Sequence, residues 1–135
     1  MPRTAAEIGP EDMARYRETR RLREEKRALS LVARLGRARS LADEAARLLR
    51  QRYGASRVVA YGSLARGGFS ELSDVDLCAW GIASEYWCKA PGDVYDLDRE
   101  IDLNLVLAQD ASQALMAEIE KDGRDLPWDR TTTVS

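Results

Sequence analysis

The apolar period of this chain changes at Gly54, and that change limits the possible fold more than any other feature. Before it, Leu29, Val32 and Leu35, then Leu41, Ala45, Leu48 and Leu49, recur at helical spacing. After it, Val58, Val59 and Tyr61 are strand formers that stop at Gly62-Ser63. Two later segments alternate with period two. In the first, Asp74, Asp76 and Cys78 take one face, and Val75, Leu77 and Ala79 the other. In the second, Glu100, Asp102 and Asn104 oppose Ile101, Leu103 and Leu105. The order is helix, strand, short helical turn, strand, connection, strand, helix. It implies an α/β domain with a small sheet covered by helices.

The helical part reads in pieces. Glu11 to about Arg27 is rich in helix formers but carries only Met13, Tyr16 and Leu22 as an apolar stripe, so it is expected to be exposed or to dock on another subunit. Gly36 is a candidate bend, and Ser40 with Asp43 makes a capping signal that would restart the helix. Gly54 is the expected stop. Residues 1–39 are thus read as a helical extension, 40–128 as the domain, and 129–135 as a loose tail. Ser112 and Gly123 bracket a last helix. The connection from Ile82 to Arg99, broken by Pro91-Gly92, is expected to be irregular or weakly helical.

Composition removes several chemistries. With no histidine among 135 residues there is no Ser-His-Asp triad, no HExxH zinc site and no imidazole base. Acid–base work must rest on carboxylates, Lys, Tyr or Cys, or on a metal held by oxygen, which favours hard cations such as Mg²⁺. Cys78 and Cys88 form no CxxC motif and are expected to be reduced thiols in a cytoplasmic protein. The N-terminus lacks the apolar stretch of a signal peptide, and no apolar run is long enough to cross a bilayer. Charge is unevenly spread: Glu11 to Arg52 holds 13 basic and 7 acidic residues, Tyr53 to Ser135 holds 7 and 15. In the basic half Glu and Arg interleave, which suits a solvated helix face better than a nucleic-acid surface.

Tyr61 to Leu77, YGSLARGGFSELSDVDL, concentrates what remains. Gly62-Ser63 ends a strand and begins a helical turn, where glycine lets a ligand approach and exposed N–H groups favour phosphate. Arg66, one turn on, is placed to clamp a phosphate, with an ion pair to Glu71 as the alternative. Ser73 is read as a hydrogen-bonding turn residue that orients Asp74. Asp74 and Asp76, two apart on a strand, point the same way with Cα atoms about 6–7 Å apart, a spacing at which both can ligate one ion or bridge two. Asp102, on the polar face of another strand, is the expected third ligand, with Glu100 as the alternative. Three carboxylates without histidine suggest a two-metal site for phosphoryl or nucleotidyl transfer. Tyr61, Trp80 and Trp128 read as core or edge aromatics; Tyr86 and Trp87 are expected to be buried. Cys78 shares the aspartates' face and is expected to border the cleft.

Gly62-Ser63, Arg66-Gly67 and Ser73-Asp74-Val75-Asp76-Leu77 resemble the GS…RG…SDxDL signature of the minimal nucleotidyltransferases of the DNA polymerase β-like superfamily. The resemblance covers about Leu41 to Leu126 and includes a closing pattern at Ile119, Gly123 and Leu126. It implies a polymerase β-like fold: a small mixed sheet flanked by helices, here with a long N-terminal helical extension. It implies two Mg²⁺ ions on Asp74, Asp76 and Asp102. The nucleotide would be held by Gly62, Ser63, Arg66 and Ser73, with Gly62 and Ser63 on the β- and γ-phosphates. ATP is the implied donor, AMP the transferred group and pyrophosphate the leaving group. Related small proteins pair with a HEPN-domain toxin and act as the antitoxin by adenylylating it; others modify aminoglycosides. The expected partners are a nucleoside triphosphate and a HEPN-like toxin, or a second copy joined through the N-terminal helix. A membrane is not among them, and nucleic acid ranks last. The competing reading is an antitoxin that acts by occlusion, without chemistry.

Overall fold

The computed structural model describes residues 9–128. The expected loose tail, 129–135, and the first eight residues lie outside them. The chain forms two compact units, Met1–Ala33 and Arg34–Ser135. Helix α1, Pro10–Tyr53, runs through both.

In the first unit α1 is polar on all sides. Arg20 pairs with Glu24 at 3.2 Å, and Arg21 lies 3.9 Å from both Glu18 and Glu25. Exposed pairs at this spacing add about 0.3–0.5 kcal/mol each, so they support helicity without fixing position. Met13, Tyr16 and Leu22 are exposed, as the thin stripe leads one to expect, and so are Leu29 and Val32 of the helical apolar period that follows it. The expected bend at Gly36 and restart at Ser40 do not occur, because α1 is one helix of 44 residues. Gly36 has open space around it, and Asp43 accepts from the Trp128 backbone N–H at 3.3 Å instead of capping a new helix.

In the second unit α1 buries an alanine-rich stripe: Ala38, Leu41, Ala42, Ala45, Ala46, Leu49 and Tyr53. Small side chains let other chain segments approach the helix axis closely, and long polar ones tie it down. Arg50 donates to the Leu126 carbonyl at 2.6 Å, and Trp128 Nε1 to the Arg39 carbonyl at 3.0 Å. Gly54, at φ 70°, stops the helix.

Four strands follow in the order β3-β2-β1-β4, with β1 Arg57–Tyr61, β2 Val75–Trp80, β3 Leu103–Leu107 and β4 Arg124–Asp125. β1 is antiparallel to β2 and β4, and β2 is parallel to β3. Helix α2, Ser63–Arg66, is a single turn between β1 and β2. The connection that read as irregular contains a 3₁₀ turn, Ser84–Tyr86, and helix α3, Lys89–Tyr95, against β3. Pro91 falls in the first turn of α3, where a missing N–H costs nothing. Trp87 is exposed rather than buried, held by its indole N–H on the Ile82 carbonyl. Helix α4, Gln113–Asp122, begins at Ser112, whose hydroxyl accepts from Leu115 N–H. It ends before Gly123, where a Cβ would fall 2.8 Å from Val59.

α4 covers one face of β1 and β2 through Ile119, which packs with Val59 and Cys78. Cys78 is therefore fully buried rather than at a cleft edge, and burial pushes its thiol up to about 11. The opposite face carries Val58, Ala60, Val75, Leu77, Ala79 and Leu103, all buried. Among the described residues no helix is long and apolar enough to cross a membrane.

Asp98 fixes the approach to β3. Its carboxylate accepts the backbone N–H groups of Glu100 and Ile101 at 3.0 and 2.8 Å and pairs with Arg37 at 2.9 Å. Those bonds, the Ile101 N–H foremost, hold it below the usual carboxylate range. Asp98→Ala should lower stability by about 1–2 kcal/mol in urea unfolding, with β3 amides losing hydrogen-exchange protection first.

Candidate active site

The β1–β2 register sets Tyr61 opposite Asp76, so the strand leading into the glycine turn ends beside the second aspartate. Gly62 then turns with φ 73° and ψ −152°, a conformation open in practice only to glycine. A Cβ at that position would lie 2.8 Å from Asp76 Oδ2. The turn thus needs glycine twice, for its dihedrals and for the carboxylate beside it. Ser63 opens α2, and no side chain caps this turn.

Arg66, at the end of α2, pairs with Glu118 of α4 at 3.0 Å, and not with Glu71. Gly67, at φ 90°, swings the chain away into the Gly68–Ser73 loop. Ser73 Oγ accepts the Ser70 N–H at 2.9 Å and lies 3.1 Å from Ser70 Oγ, so its hydroxyl closes a turn immediately before Asp74. Arg34 Nη2 reaches the Ser73 carbonyl at 3.4 Å.

Asp74 and Asp76 come together around one amide, that of Asn104, and the expected third carboxylate, Asp102, stands where the chain enters the neighbouring strand. Among the described residues no group of three acidic, Cys or His side chains is placed to hold a metal ion. The β2–β3 register sets Asn104 beside Asp76 and, continued one residue back from the Val75–Leu103 pair, Asp102 beside Asp74. Asp102 stands ahead of the strand, where its carbonyl accepts Val75 N–H at 2.9 Å and its side chain lines a depression with Tyr95, Asp96, Asp98 and Arg99. Asn104 Nδ2 donates to Asp74 Oδ2 at 3.3 Å and Asp76 Oδ1 at 3.4 Å. Asn104 and Glu118 are the site residues that sequence reasoning passed over. Strand alternation puts Asn104 on the polar face, but only the parallel register brings it to the aspartates; no local spacing marks Glu118.

Asp76 is half-buried, and burial is the main cause that lifts its carboxyl above the usual range. The Asn104 amide opposes that lift, while Asp74 and Glu118 add to it. Tyr61, alongside, is pushed up to about 12 by burial first and then by Asp76. A half-buried carboxylate with a second beside it lacks compensating positive charge. Two carboxylates are hard donors, which fits Mg²⁺, an ion commonly held by one or two carboxylates together with substrate phosphates.

Gly62→Ala should cost about 1–3 kcal/mol in chemical denaturation, because it forces a forbidden dihedral and crowds Asp76. The raised folded value of Asp76 means that its ionised form costs stability once pH exceeds that value. Asp76→Asn should therefore stabilise the ion-free chain at neutral pH, and the gain should shrink as pH falls through the raised value. Urea midpoints across pH check this.

The family model of the nucleotidyltransferase domain matches residues 42–129. No curated protein matches the chain significantly in sequence. Among solved structures, a mutant of the MntA-HpeT toxin-antitoxin superposes with TM-score 0.50 and 18% identity, covering 66% of this chain and 73% of that one. A toxin-antitoxin with AMP-PNP gives 0.51 and 19%, covering 64% and 73%. A further MntA-HpeT mutant, with two aspartates changed to glutamate, gives 0.52 and 16%, covering 67% and 76%. At such identities the structures speak for the fold, which is the mixed α/β fold of the polymerase β-like enzymes; the family match carries the activity. From its sheet register to its paired aspartates, the chain belongs to the nucleotidyltransferase domain family and is a nucleotidyltransferase.

Proposed function

We propose that this enzyme transfers AMP from Mg²⁺-bound ATP to a hydroxyl group on a partner protein, as the antitoxin of a toxin–antitoxin pair in the cytoplasm. The observation that carries the reading is the meeting of the Gly62 turn with Asp76, which supports a phosphate site beside a cation site. The solved neighbours support the choice of nucleotide and partner, since they are toxin-antitoxin structures and one contains AMP-PNP.

The residues divide the work. Gly62 and Ser63 receive the β- and γ-phosphates on backbone N–H groups and the Ser63 hydroxyl. Arg66, steadied by Glu118, offers its remaining guanidinium N–H groups to the phosphates. Ser73 shapes the loop that delivers Asp74. Asp74 and Asp76 would hold Mg²⁺, which when bound supplies charge stabilisation at the reacting phosphate. The acceptor oxygen attacks the α-phosphorus, the α–β phosphoanhydride bond breaks, pyrophosphate departs and the hydroxyl proton passes to solvent.

The fold favours a protein acceptor. In the first unit α1 exposes Met13, Tyr16, Leu22, Leu29 and Val32 among its charges, a surface that suits a protein partner. A HEPN-like toxin is the partner we favour. The exposed helix also suits occlusion without chemistry, so the test must separate the two.

ATP labelled at the α-phosphate, incubated with Mg²⁺, the chain and the protein encoded beside it, should label that protein. Asp74→Ala or Asp76→Ala should reduce labelling by a factor of at least about 10³. Label transfer unchanged in both variants would reject the site. Neutralisation of the partner by unlabelling Asp74→Asn would favour occlusion.

A further inference from the structure

The polar groups around the aspartates close with a side chain that carries no charge. Asn104 Nδ2 lies 3.3 Å from Asp74 Oδ2 and 3.4 Å from Asp76 Oδ1, so one amide nitrogen serves both carboxylates. A donor that reaches both oxygens stands on the side that they share, where a bridging cation would also have to stand. We propose that Asn104 is a positioning residue that holds Asp74 and Asp76 at ligating separation in the ion-free chain, making the site selective for a cation already bound to nucleotide over the free cation. The inference rests on the reading of Asp74 and Asp76 as cation ligands.

Charge is the reason. Two like charges in a half-buried pocket repel, and a third carboxylate at position 104 would leave the ion-free pocket with one more unbalanced charge. Glu118, the further acid that raises the Asp76 carboxyl, is already matched by Arg66 at 3.0 Å. With a neutral amide at position 104 the pocket tolerates being empty and stays formed. The same choice weakens its hold on a free ion, because Mg²⁺ dehydrates reluctantly and two carboxylates supply only part of its shell. Phosphate oxygens from the nucleotide supply more, and the glycine turn that would hold them adjoins Asp76.

The test uses the full chain and Mn²⁺ uptake, followed by the electron paramagnetic resonance signal of the free ion, with and without a non-cleavable ATP analogue. Wild type should bind Mn²⁺ at least about tenfold more tightly with the analogue than without it. Asn104→Asp should tighten binding of Mn²⁺ alone about tenfold, and should lower the melting temperature in EDTA, with Mn²⁺ restoring it. Asn104→Ala should weaken analogue-dependent uptake about tenfold. If Asn104→Ala folds poorly, Asn104→Asp decides alone, since it keeps the shape. Asn104→Asp that binds free Mn²⁺ no better than wild type and melts with it in EDTA would overturn the role of Asn104. If Asp76→Asn abolishes analogue-dependent uptake in that same experiment, the ligand reading survives and only the role of Asn104 falls. If Asp76→Asn takes up Mn²⁺ like wild type, the ligand reading falls, and this inference with it.

Discussion

The parallel pairing of β2 with β3, and the antiparallel pairing of β2 with β1, place Asp76 between Tyr61 and Asn104. β2 is the central strand of the three, with Tyr61 on one side of Asp76 and Asn104 on the other. Register in a sheet is unforgiving. A slip of one residue would move Asp76 onto the buried face that holds Val75, Leu77 and Ala79. Burial of the aliphatic face therefore specifies where the carboxylates stand, although it makes no contact with them. The Asp98 cluster acts on the same register from the other end, by fixing how the chain enters β3.

Around that register the site is arranged as a deficit of positive charge. Asp74 and Asp76 stand together, burial holds the Asp76 carboxyl up, and Arg66, the neighbouring cation, is matched with Glu118. The Gly62 turn adjoins the same carboxylate. Under the proposed function, a nucleoside triphosphate carrying a divalent ion would bring both a cation for the aspartates and oxygens for the turn.

Much of this could be read in advance, and the exceptions share a cause. The strands, the α4 cap at Ser112 and the joining of Asp74 with Asp76 follow from neighbours a few residues apart. The continuity of α1 does not. Gly36 and the Ser40–Asp43 pair are ordinary breaking and capping signals, overridden because the Ala38–Leu49 stripe is buried along an unbroken helix. Cys78 alternates with the aspartates but lies beneath Ile119, a residue 41 positions later. β4, two residues long, has no periodicity to detect and exists through its pairing with β1.

The sequence alone determined the groups on offer: oxygen donors in a chain without histidine, a glycine-serine turn, and two carboxylates held on one side of a strand by the pleat. These are properties of composition and of short-range geometry, which neighbouring residues set among themselves. Tertiary structure decided which groups complete the pocket. Asn104 reaches both aspartates, and Glu118 rather than Glu71 takes Arg66, because each pairing depends on strand register or helix placement across 28 residues or more. Such pairings are set by burial of the whole core, and no local pattern encodes them.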